Sequence, residues 1–471
     1  MEERITAKAI NWLPVGRRGN TQATATAAET SNRWGFAELF VISQTAFPAL
    51  LFLPGTQSIR LPLRVAPFAV SLAALAWMFN QRRARTTASH PATLWLVMVM
   101  IWLALMILHP TTNTTMAGTA QMLLYLSVLA PLFWAPGMVR QTRQLDRLLA
   151  ILLVCNGVNS LVGVLQVYYP ETWMPAEFSQ VLAAQGYEVE TALGYLNDAG
   201  RVIIRPPGLY DMPGAVCGAG IIAGFLGVVF FLRPLRLWQR MGSLGFAVLG
   251  VMAIYFSQVR TSLLILGGMT IVYTLILGAF QKRRMLALVM VVVAGAVGTI
   301  GYTSSSSVGG QAVSNRFGTL TEGDPLTVYY LSLRGPQLEY ALTTLLPAYP
   351  AGAGLGRWGM MRAYFGNEAN KDSPKIWAEL QLPAWILDGG IVLVLLYVIA
   401  LCVTAAYELR LARRAKAPEL RECGAIILAV NLGVLAITFG FTPFTTQLGM
   451  QYWFLAGALY GAAQTGKRLK Q

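Results

Sequence analysis

Three arginines and one glutamate are the residues best suited to chemistry in this sequence: Arg205, Arg260, Arg334 and Glu379. A guanidinium group presents a rigid fork of N–H donors that binds phosphate oxygens in pairs, and it stays charged at any working pH. Arginines gathered on one side of a protein therefore suit a phosphate or diphosphate ligand. A carboxylate beside them could accept a proton from a reacting hydroxyl group or orient that group.

Composition indicates what kind of scaffold must position these residues. Hydrophobic residues make up 55% of the 471 and charged residues only 12%, and the mean hydropathy is +0.53. Soluble domains carry about 25% charged residues, so the sequence predicts an all-α, polytopic membrane protein. The cysteines have no CxxC spacing and no carboxylate cluster suits a divalent ion. Neither a metal nor a cofactor is predicted.

Apolar windows long enough to cross a bilayer recur along the chain, since a membrane helix needs about 20 residues. They predict about 12 transmembrane helices. The windows fall at residues 36–55, 62–80, 92–108, 117–137, 148–169, 209–232, 243–259, 261–281, 285–303, 380–407, 422–440 and 448–466.

Basic residues indicate which side of the membrane each loop occupies. Of the 36 Lys and Arg residues, 25 lie in the two chain termini and in five loops that the predicted spans place on one side. Loops rich in Lys and Arg face the cytoplasm, so both termini are predicted to be cytoplasmic. The same bias accounts for most of the net charge of +15. Membrane lipids are therefore expected partners and nucleic acid is not.

Spans and orientation together predict the organisation of the chain. The predicted parts are a cytoplasmic tail at 1–35, transmembrane helices one to nine at 36–303 with an outer segment at 170–208, a large outer loop containing short helices at 304–379, transmembrane helices ten to twelve at 380–466, and a cytoplasmic tail at 467–471.

The large outer loop holds further candidates for binding. Arg316 is a candidate for an anionic ligand, although solvated loop surface is the plainer expectation for it and for Arg357 and Arg362. Trp377 and Trp358 could stack on sugar faces or belong to the belt of aromatic residues at a membrane surface. The glycine run AGAGLG (351–356) predicts a tight turn where helices meet.

Arg260 stands between two apolar runs with almost no loop around it. An arginine at the centre of a bilayer costs about 2.5–3.5 kcal/mol on insertion scales, so we expect Arg260 near the outer surface, where two helices turn. Two interpretations are open. Its side chain either extends to lipid headgroups or holds an anionic ligand at the mouth of a cavity.

Four motifs occur in a recognisable order: RPPGLYDMP (205–213), QVRTSLL (258–264), LRGPQLEYALTTLLPAYPAGAGLGRW (333–358) and ILDGGI (386–391). On these motifs, residues 200–400 resemble the superfamily of O-antigen ligases and O-antigen polymerases, the WaaL and Wzy-type membrane glycosyltransferases. That superfamily carries a His eleven residues before the second glycine of the last motif. Here Glu379 stands at that position, and the only histidines are His90 and His109, both far away in the sequence.

The resemblance implies a GT-C-like helical fold in the bacterial inner membrane with a periplasmic site. It also implies an inverting, metal-independent transfer from a glycan linked to undecaprenyl diphosphate. Charge developing on the leaving diphosphate would be stabilised by arginines, and Glu379 would act as the general base. The implied catalytic residues are Glu379, Arg260 and Arg334, and the implied binding residues are Arg205, Arg260, Arg334, Arg316, Tyr210 and Trp377.

Several reactions fit this resemblance. We favour polymerisation of repeat units into an exopolysaccharide or O-antigen, with ligation to lipid A core as the alternative and protein glycosylation third. A secondary transporter with 12 spans is the rival from outside the enzymes. Transporters often carry broken helices at matching positions of two repeats, and the sequence shows no such pair. Glu379 could also simply pair with one of the arginines.

Overall fold

The structure is a computed structural model of the chain. It describes residues 34–53, 55–81, 89–175, 194–196, 202–210, 212–282, 284–289, 291, 295, 334–367, 369–370, 376 and 378–468.

The described elements are helical except for one short antiparallel hairpin. The helices are α1 (Phe36–Leu50), α2 (Arg60–Gln81), α3 (Thr93–Met106), α4 (Thr115–Met138), α5 (Thr142–Tyr168), α6 (Pro170–Trp173), α7 (Val216–Phe231), α8 (Leu237–Ser257), α9 (Arg260–Gly278), α10 (Gly335–Tyr340), α11 (Leu346–Ala348), α12 (Gly359–Phe365), α13 (Gln381–Arg414), α14 (Pro418–Ile437) and α15 (Gln447–Arg468). A π-helical turn, Ala341–Leu345, joins α10 to α11, and 3-10 turns lie at Thr56–Ile59 and Pro443–Thr445. The hairpin pairs β1 (Gly194–Leu196) with β2 (Val202–Ile204), so that Tyr195 lies opposite Ile203.

Seven of the described helices are long and apolar enough to cross a membrane: α2, α4, α5, α8, α9, α13 and α14. Helices α1, α3 and α7 are apolar but shorter, and α15 has 22 residues. By helix length and composition, the chain is a multi-pass membrane protein. Each of these helices coincides with a predicted span. The remaining predicted span, 285–303, lies almost wholly outside the described residues.

Small residues allow the helices to pack closely. A Cβ atom added to Gly220 of α7 would lie 2.6 Å from the carbonyl oxygen of Gly250 in α8, and one on Gly227 would lie 2.6 Å from that of Ser243. The backbones of α7 and α8 therefore touch along their length, as is common where lipid supplies no hydrophobic driving force between helices.

A buried ionic cluster ties several of the basic segments to one end of the bundle. Arg233 donates to Asp146 and to Glu422, each at 2.9 Å, and Arg284 lies 3.4 Å from the same glutamate. Burial alone would lower the pKa of Arg233, but the carboxylates of Glu422 and Asp146 outweigh it and raise that pKa. The cluster joins the start of α5, the α7–α8 loop, residue 284 and the start of α14. Four segments that the sequence places on the cytoplasmic side thus meet.

Helix α13 is interrupted near its first third. Gly389 (φ −163°) and Gly390 (φ +63°) leave the helical conformation, and the freed backbone groups find partners elsewhere. Ile391 N–H donates to the carbonyl of Pro350 at 2.9 Å, and the indole N–H of Trp102 donates to the carbonyl of Gly389 at 2.7 Å. Helix α13 is therefore a broken helix, a feature that the sequence analysis did not predict.

Replacing Gly390 by alanine should destabilise the protein by about 2 kcal/mol or more, because a positive φ disfavours any Cβ and the added atom would sit 2.1 Å from the Pro350 carbonyl oxygen. Gly267→Ala in α9 is the matched control, since a Cβ there meets nothing within 4 Å. Thermal unfolding in detergent measures both. An unchanged midpoint for Gly390→Ala would contradict the break as described.

Candidate functional site

The segment that carries Arg205 is fixed to α5 by two buried amides. Gln166 accepts a hydrogen bond from Gly208 N–H at 2.8 Å and donates to the Gly208 carbonyl at 2.7 Å. Asn159 accepts from Leu209 N–H at 2.7 Å. Gly208 has φ +66°, and a Cβ there would lie 2.2 Å from the Asn159 oxygen. The PPG sequence therefore forms a turn that only glycine permits, directly after Arg205.

Gly214 lies beside Arg205 and beside Val259, the residue that precedes Arg260. Gly214 N–H donates to the Arg205 carbonyl at 3.1 Å. A Cβ on Gly214 would be 3.9 Å from Arg205 Cβ and 3.8 Å from Val259 Cγ2, and Val259 directly precedes Arg260. Helix α8 ends at Gln258, which adopts φ +56°, and Arg260 opens α9. The expected turn between two helices at Arg260 is present.

Tyr210, predicted to bind ligand, is turned towards α5. Burial raises its pKa to about 12, with the nearby thiol of Cys155 adding to the rise and a hydrogen bond to Asn159 opposing it. The phenol is therefore neutral at pH 7. It packs near the arginines and supports the turn that carries Arg205.

Arg334 and Glu379 form an ion pair. Pairing of Glu379 with one of the arginines is one of the two expectations for this residue. Gln337 of α10 joins the pair: it donates to the same Glu379 oxygen at 3.1 Å and accepts from Arg334 at 3.3 Å. Both charged side chains are about 29% exposed. A partly exposed carboxylate thus lies two residues before α13, and it accepts from Arg334 and Gln337 at the start of α10.

The glycine-rich loop 350–359 packs against the helix ends and does not form an open surface. Gly352, Gly354 and Gly356 all have positive φ, and a Cβ on Gly354 or Gly356 would approach backbone atoms of Thr112 or Ala117 to within 2.6–2.7 Å. The tight turn predicted for this run is present. Its glycines are required because the loop backbone touches the α3–α4 connection and the start of α4.

Arg357 and Arg362 are buried, with exposed fractions of 2% and 5%, so the expectation of a solvated loop surface is wrong for both. Arg357 donates to the Ala353 carbonyl at 3.2 Å and lies over the ring of Tyr349 at 5.9 Å. Burial lowers the pKa of Arg357. Hydrogen bonding within the loop and contact with an aromatic face compensate for the lost hydration of the guanidinium.

A buried aspartate at the break in α13 connects this loop to the bundle. Asp388 is fully buried and accepts three hydrogen bonds: from Tyr125 at 2.7 Å, from Gln121 at 3.3 Å and from Trp358 at 2.9 Å. Tyr125 and Gln121 belong to α4, while Trp358 closes the glycine-rich loop. Trp358 is therefore neither a sugar-stacking residue nor part of an interfacial belt.

His109 lies much nearer this loop than its sequence position suggests. Its Nδ1 is 3.0 Å from Thr111 Oγ1, which donates to the Ala353 carbonyl at 2.8 Å. The Thr111 backbone N–H also donates to Nδ1 at 3.3 Å, so this nitrogen acts as an acceptor in the neutral ring. Burial, and secondarily the charge of Arg357, lower the pKa of His109. The imidazole is therefore neutral at pH 7 and can accept a proton.

The structure pairs Arg334 with Glu379, and it places Arg205 near Val259, the residue that precedes Arg260. The contacts described for these residues do not join Arg334 or Glu379 to Arg205 or Arg260. Arg316 and Trp377 lie outside the described residues. Asp388 belongs to the ILDGGI motif but received no role of its own from the sequence, and His109 received none because a lone histidine gives no spacing signal.

Asp388→Asn should destabilise the protein by about 1–3 kcal/mol. The NH₂ group of asparagine is a donor, and it would face the side chains that donate to Asp388 in the wild type. Glu419→Gln, at an exposed position of α14, is the control and should change nothing. Thermal unfolding in detergent measures stability, and limited proteolysis between residues 350 and 359 reports release of the loop. A loop that stays protected in Asp388→Asn would contradict this role.

Comparison with known proteins leaves the function to be argued from the chain itself. No family model matches the chain, and no curated protein matches it.

Proposed function

We propose that the chain is a glycosyltransferase of the bacterial inner membrane, with a GT-C-like fold and a site that faces the periplasm. It polymerises oligosaccharide repeat units carried on undecaprenyl diphosphate into an exopolysaccharide or O-antigen and releases undecaprenyl diphosphate. The observation that carries the proposal is the Arg334–Glu379 pair at the start of α13. It supplies a cation and a potential base within one hydrogen-bonded group.

The donor diphosphate would be bound by the arginines. Arg205 and Val259, the residue that precedes Arg260, both lie beside Gly214, so the backbone positions of the two arginines are close to one turn. Transfer of the sugar leaves charge on the diphosphate, and fixed cations stabilise a charge that develops in the transition state. Arg334, and Arg316 within the same loop, would extend this positive surface. Tyr210 supports the turn, and Trp377 would contact the glycan.

Activation of the acceptor hydroxyl requires a proton acceptor. Glu379 is partly exposed and fixed by Gln337 and Arg334, so it can orient a hydroxyl or take its proton. His109 is a second candidate because Thr111 fixes its ring through Nδ1, and burial lowers its pKa so that the imidazole is neutral near pH 7. General bases of this kind contribute about 10²–10⁴-fold to a rate.

An apolar cleft is available for the isoprenoid part of the donor. Its lining includes Met116, Ala120 and Leu123 on one side of α4, together with Phe365 at the end of α12. The cleft begins at Thr115, the first residue of α4. A polyprenyl chain needs such a surface beside the end of the bundle that binds its diphosphate.

The runner-up reactions use the same donor chemistry and differ in the acceptor. Ligation would place a lipid A core in the acceptor position, and protein glycosylation would place a Ser or Thr hydroxyl there. We retain polymerisation because enzymes of that kind vary more in sequence, which suits a chain with Glu379 at the expected His position.

A secondary transporter is the second candidate function, and the break in α13 favours it. Discontinuous membrane helices form substrate and ion sites in transporters. Here the break at Gly389–Gly390 is occupied by the chain's own Pro350 and Trp102. We therefore rank transport below glycosyl transfer.

If Glu379 is the base, Glu379→Gln should lower the rate of polymer formation by about 10²-fold or more. The variant should insert and fold normally. Glu419→Gln, at an exposed position of α14, is the control. Proteoliposomes supplied with an undecaprenyl-diphosphate-linked repeat unit give the rate as released undecaprenyl diphosphate. A wild-type rate in Glu379→Gln removes Glu379 from the mechanism.

His109→Ala separates the two proton acceptors. If His109 is the base, this variant should lose the rate and Glu379→Gln should retain most of it. The wild-type rate should then rise with pH through the lowered pKa of His109, because only the unprotonated ring accepts a proton. A pH–rate profile that is unchanged in His109→Ala would exclude the histidine.

Arg260→Lys should also reduce the rate, because the charge remains but the paired donors are lost. Arg413→Lys, an exposed residue at the far end of α13, controls for a general effect of the substitution. Full activity of Arg260→Lys would leave no need for bidentate phosphate binding at this position.

A further inference from the structure

Helix α13 carries a second buried carboxylate, at the end remote from the candidate site. Glu408 is fully buried, and its neighbour Asn431 of α14 is 1% exposed. The amide nitrogen of Asn431 donates to Glu408 Oε1 at 2.6 Å. Glu408 lies 18 residues beyond Gly390, about 27 Å along a helix at 1.5 Å per residue. It belongs to the inner half of a membrane-crossing helix.

Two oxygen atoms of this pair lack a hydrogen-bond partner among the described residues: Glu408 Oε2 and Asn431 Oδ1. Both are acceptors if the carboxyl is ionised, so they cannot satisfy each other. Leaving buried polar atoms unsatisfied costs about 1–3 kcal/mol each. One added proton removes both deficits, because a protonated Oε2 can donate to Oδ1 while Oε1 still accepts from the amide nitrogen.

We propose that Glu408 is a proton-binding site, held as a neutral carboxylic acid in a cyclic, doubly hydrogen-bonded pair with Asn431. The ligand is a proton, and the site is independent of the proposed glycosyl transfer. Its geometry follows from chemistry: a carboxylic acid and a primary amide each present one donor and one acceptor on the same edge.

The charged and titratable groups around Glu408 do not supply a counter-ion. Tyr452 of α15 interacts with the carboxyl, and it is a neutral phenol. On its own helix, Tyr407 and Arg410 flank it in sequence, and Arg410 is exposed. None of the salt bridges described in the structure includes Glu408.

His90 is the remaining nearby titratable group, since its ring packs edge-on against Tyr407 and Tyr460. Burial lowers the pKa of His90 to about 3, and its Nδ1 accepts from Ala92 N–H at 3.1 Å. The imidazole is therefore neutral at pH 7. An ionised Glu408 would be an uncompensated buried charge, which is strongly destabilising.

A bound sodium ion is the alternative that could neutralise the same carboxylate. The two unsatisfied oxygens would be its nearest ligands, whereas hard cations in proteins usually take about six or more oxygen ligands. Thr404 already donates to the Ala400 carbonyl at 2.8 Å. The oxygen set is thus small for a metal ion and complete for a proton.

Infrared difference spectroscopy on the full-length protein in nanodiscs tests the proposal directly. Wild type minus Glu408→Gln should show the carbonyl stretch of a protonated carboxylic acid at about pH 7 in sodium-free buffer, shifting in D₂O, because an ordinary glutamate is ionised above about pH 4.3. A difference spectrum that shows carboxylate bands, symmetric and antisymmetric, and no carboxylic-acid band would overturn the proposal.

Stability separates the proton from sodium and keeps the test valid if one variant folds poorly. Glu408→Gln reproduces the neutral acid, with an amide that can donate to Asn431 and accept from it, so its melting temperature should equal or exceed that of wild type. Asn431→Leu should lower the melting temperature, and Glu408→Gln/Asn431→Leu should recover little.

The pH dependence has a definite sign. The folded protein holds a proton that the unfolded chain releases above about pH 4.3, so wild-type stability should decrease as pH rises from there until the folded carboxyl itself ionises, and Glu408→Gln should lack that part of the decrease. Glu419→Gln is the control and should follow wild type. The proposal would be overturned if sodium raised the melting temperature of the wild type but not of Glu408→Gln, and if Glu408→Gln were also less stable than the wild type. Those results would assign the site to sodium.

Discussion

The structure depends on how the backbone N–H and C=O groups at the break in α13 find hydrogen-bond partners. A helix that stops hydrogen bonding inside a bundle exposes N–H and C=O groups, and in a membrane no water compensates them. Here Pro350, Ala353 and Trp102 form hydrogen bonds with the backbone groups that the break leaves without helical partners. The glycine-rich loop is thus an obligatory part of the helix packing. Its sharp, positive-φ backbone follows from the need to bring carbonyl and amide groups against Gly389 and Gly390.

Asp388 extends the same constraint towards the candidate site. It binds two side chains of α4 and the indole of Trp358, so the loop cannot move without disturbing the bundle. Arg357, the residue before Trp358, accepts a hydrogen bond from Ile376 N–H at 3.2 Å through its carbonyl. Glu379 follows Ile376 by three residues. The residue that pairs with Arg334 therefore lies on a segment bonded to the glycine-rich loop at one end and continuous with α13 at the other.

Much of the architecture could be predicted from the sequence, because apolar length is a strong signal in a membrane. The turn at Arg260 and the tight turn at residues 351–356 also followed from local pattern. The burial of Arg357 and Arg362 did not, since an arginine in a polar loop looks the same whether it binds water or a backbone carbonyl. The role of Trp358 depended on Asp388, thirty residues away, and no local rule joins them.

The two buried carboxylates of α13 differ in the hydrogen bonds that they accept. Asp388 accepts from three neutral donors, and hydrogen bonds to a charged form favour that form. Glu408 Oε1 accepts from the Asn431 amide, and Oε2 has no hydrogen-bond partner among the described residues. The same helix therefore uses one acid to gather donors at the break, and we propose that it uses the other, in its protonated form, to bridge to α14.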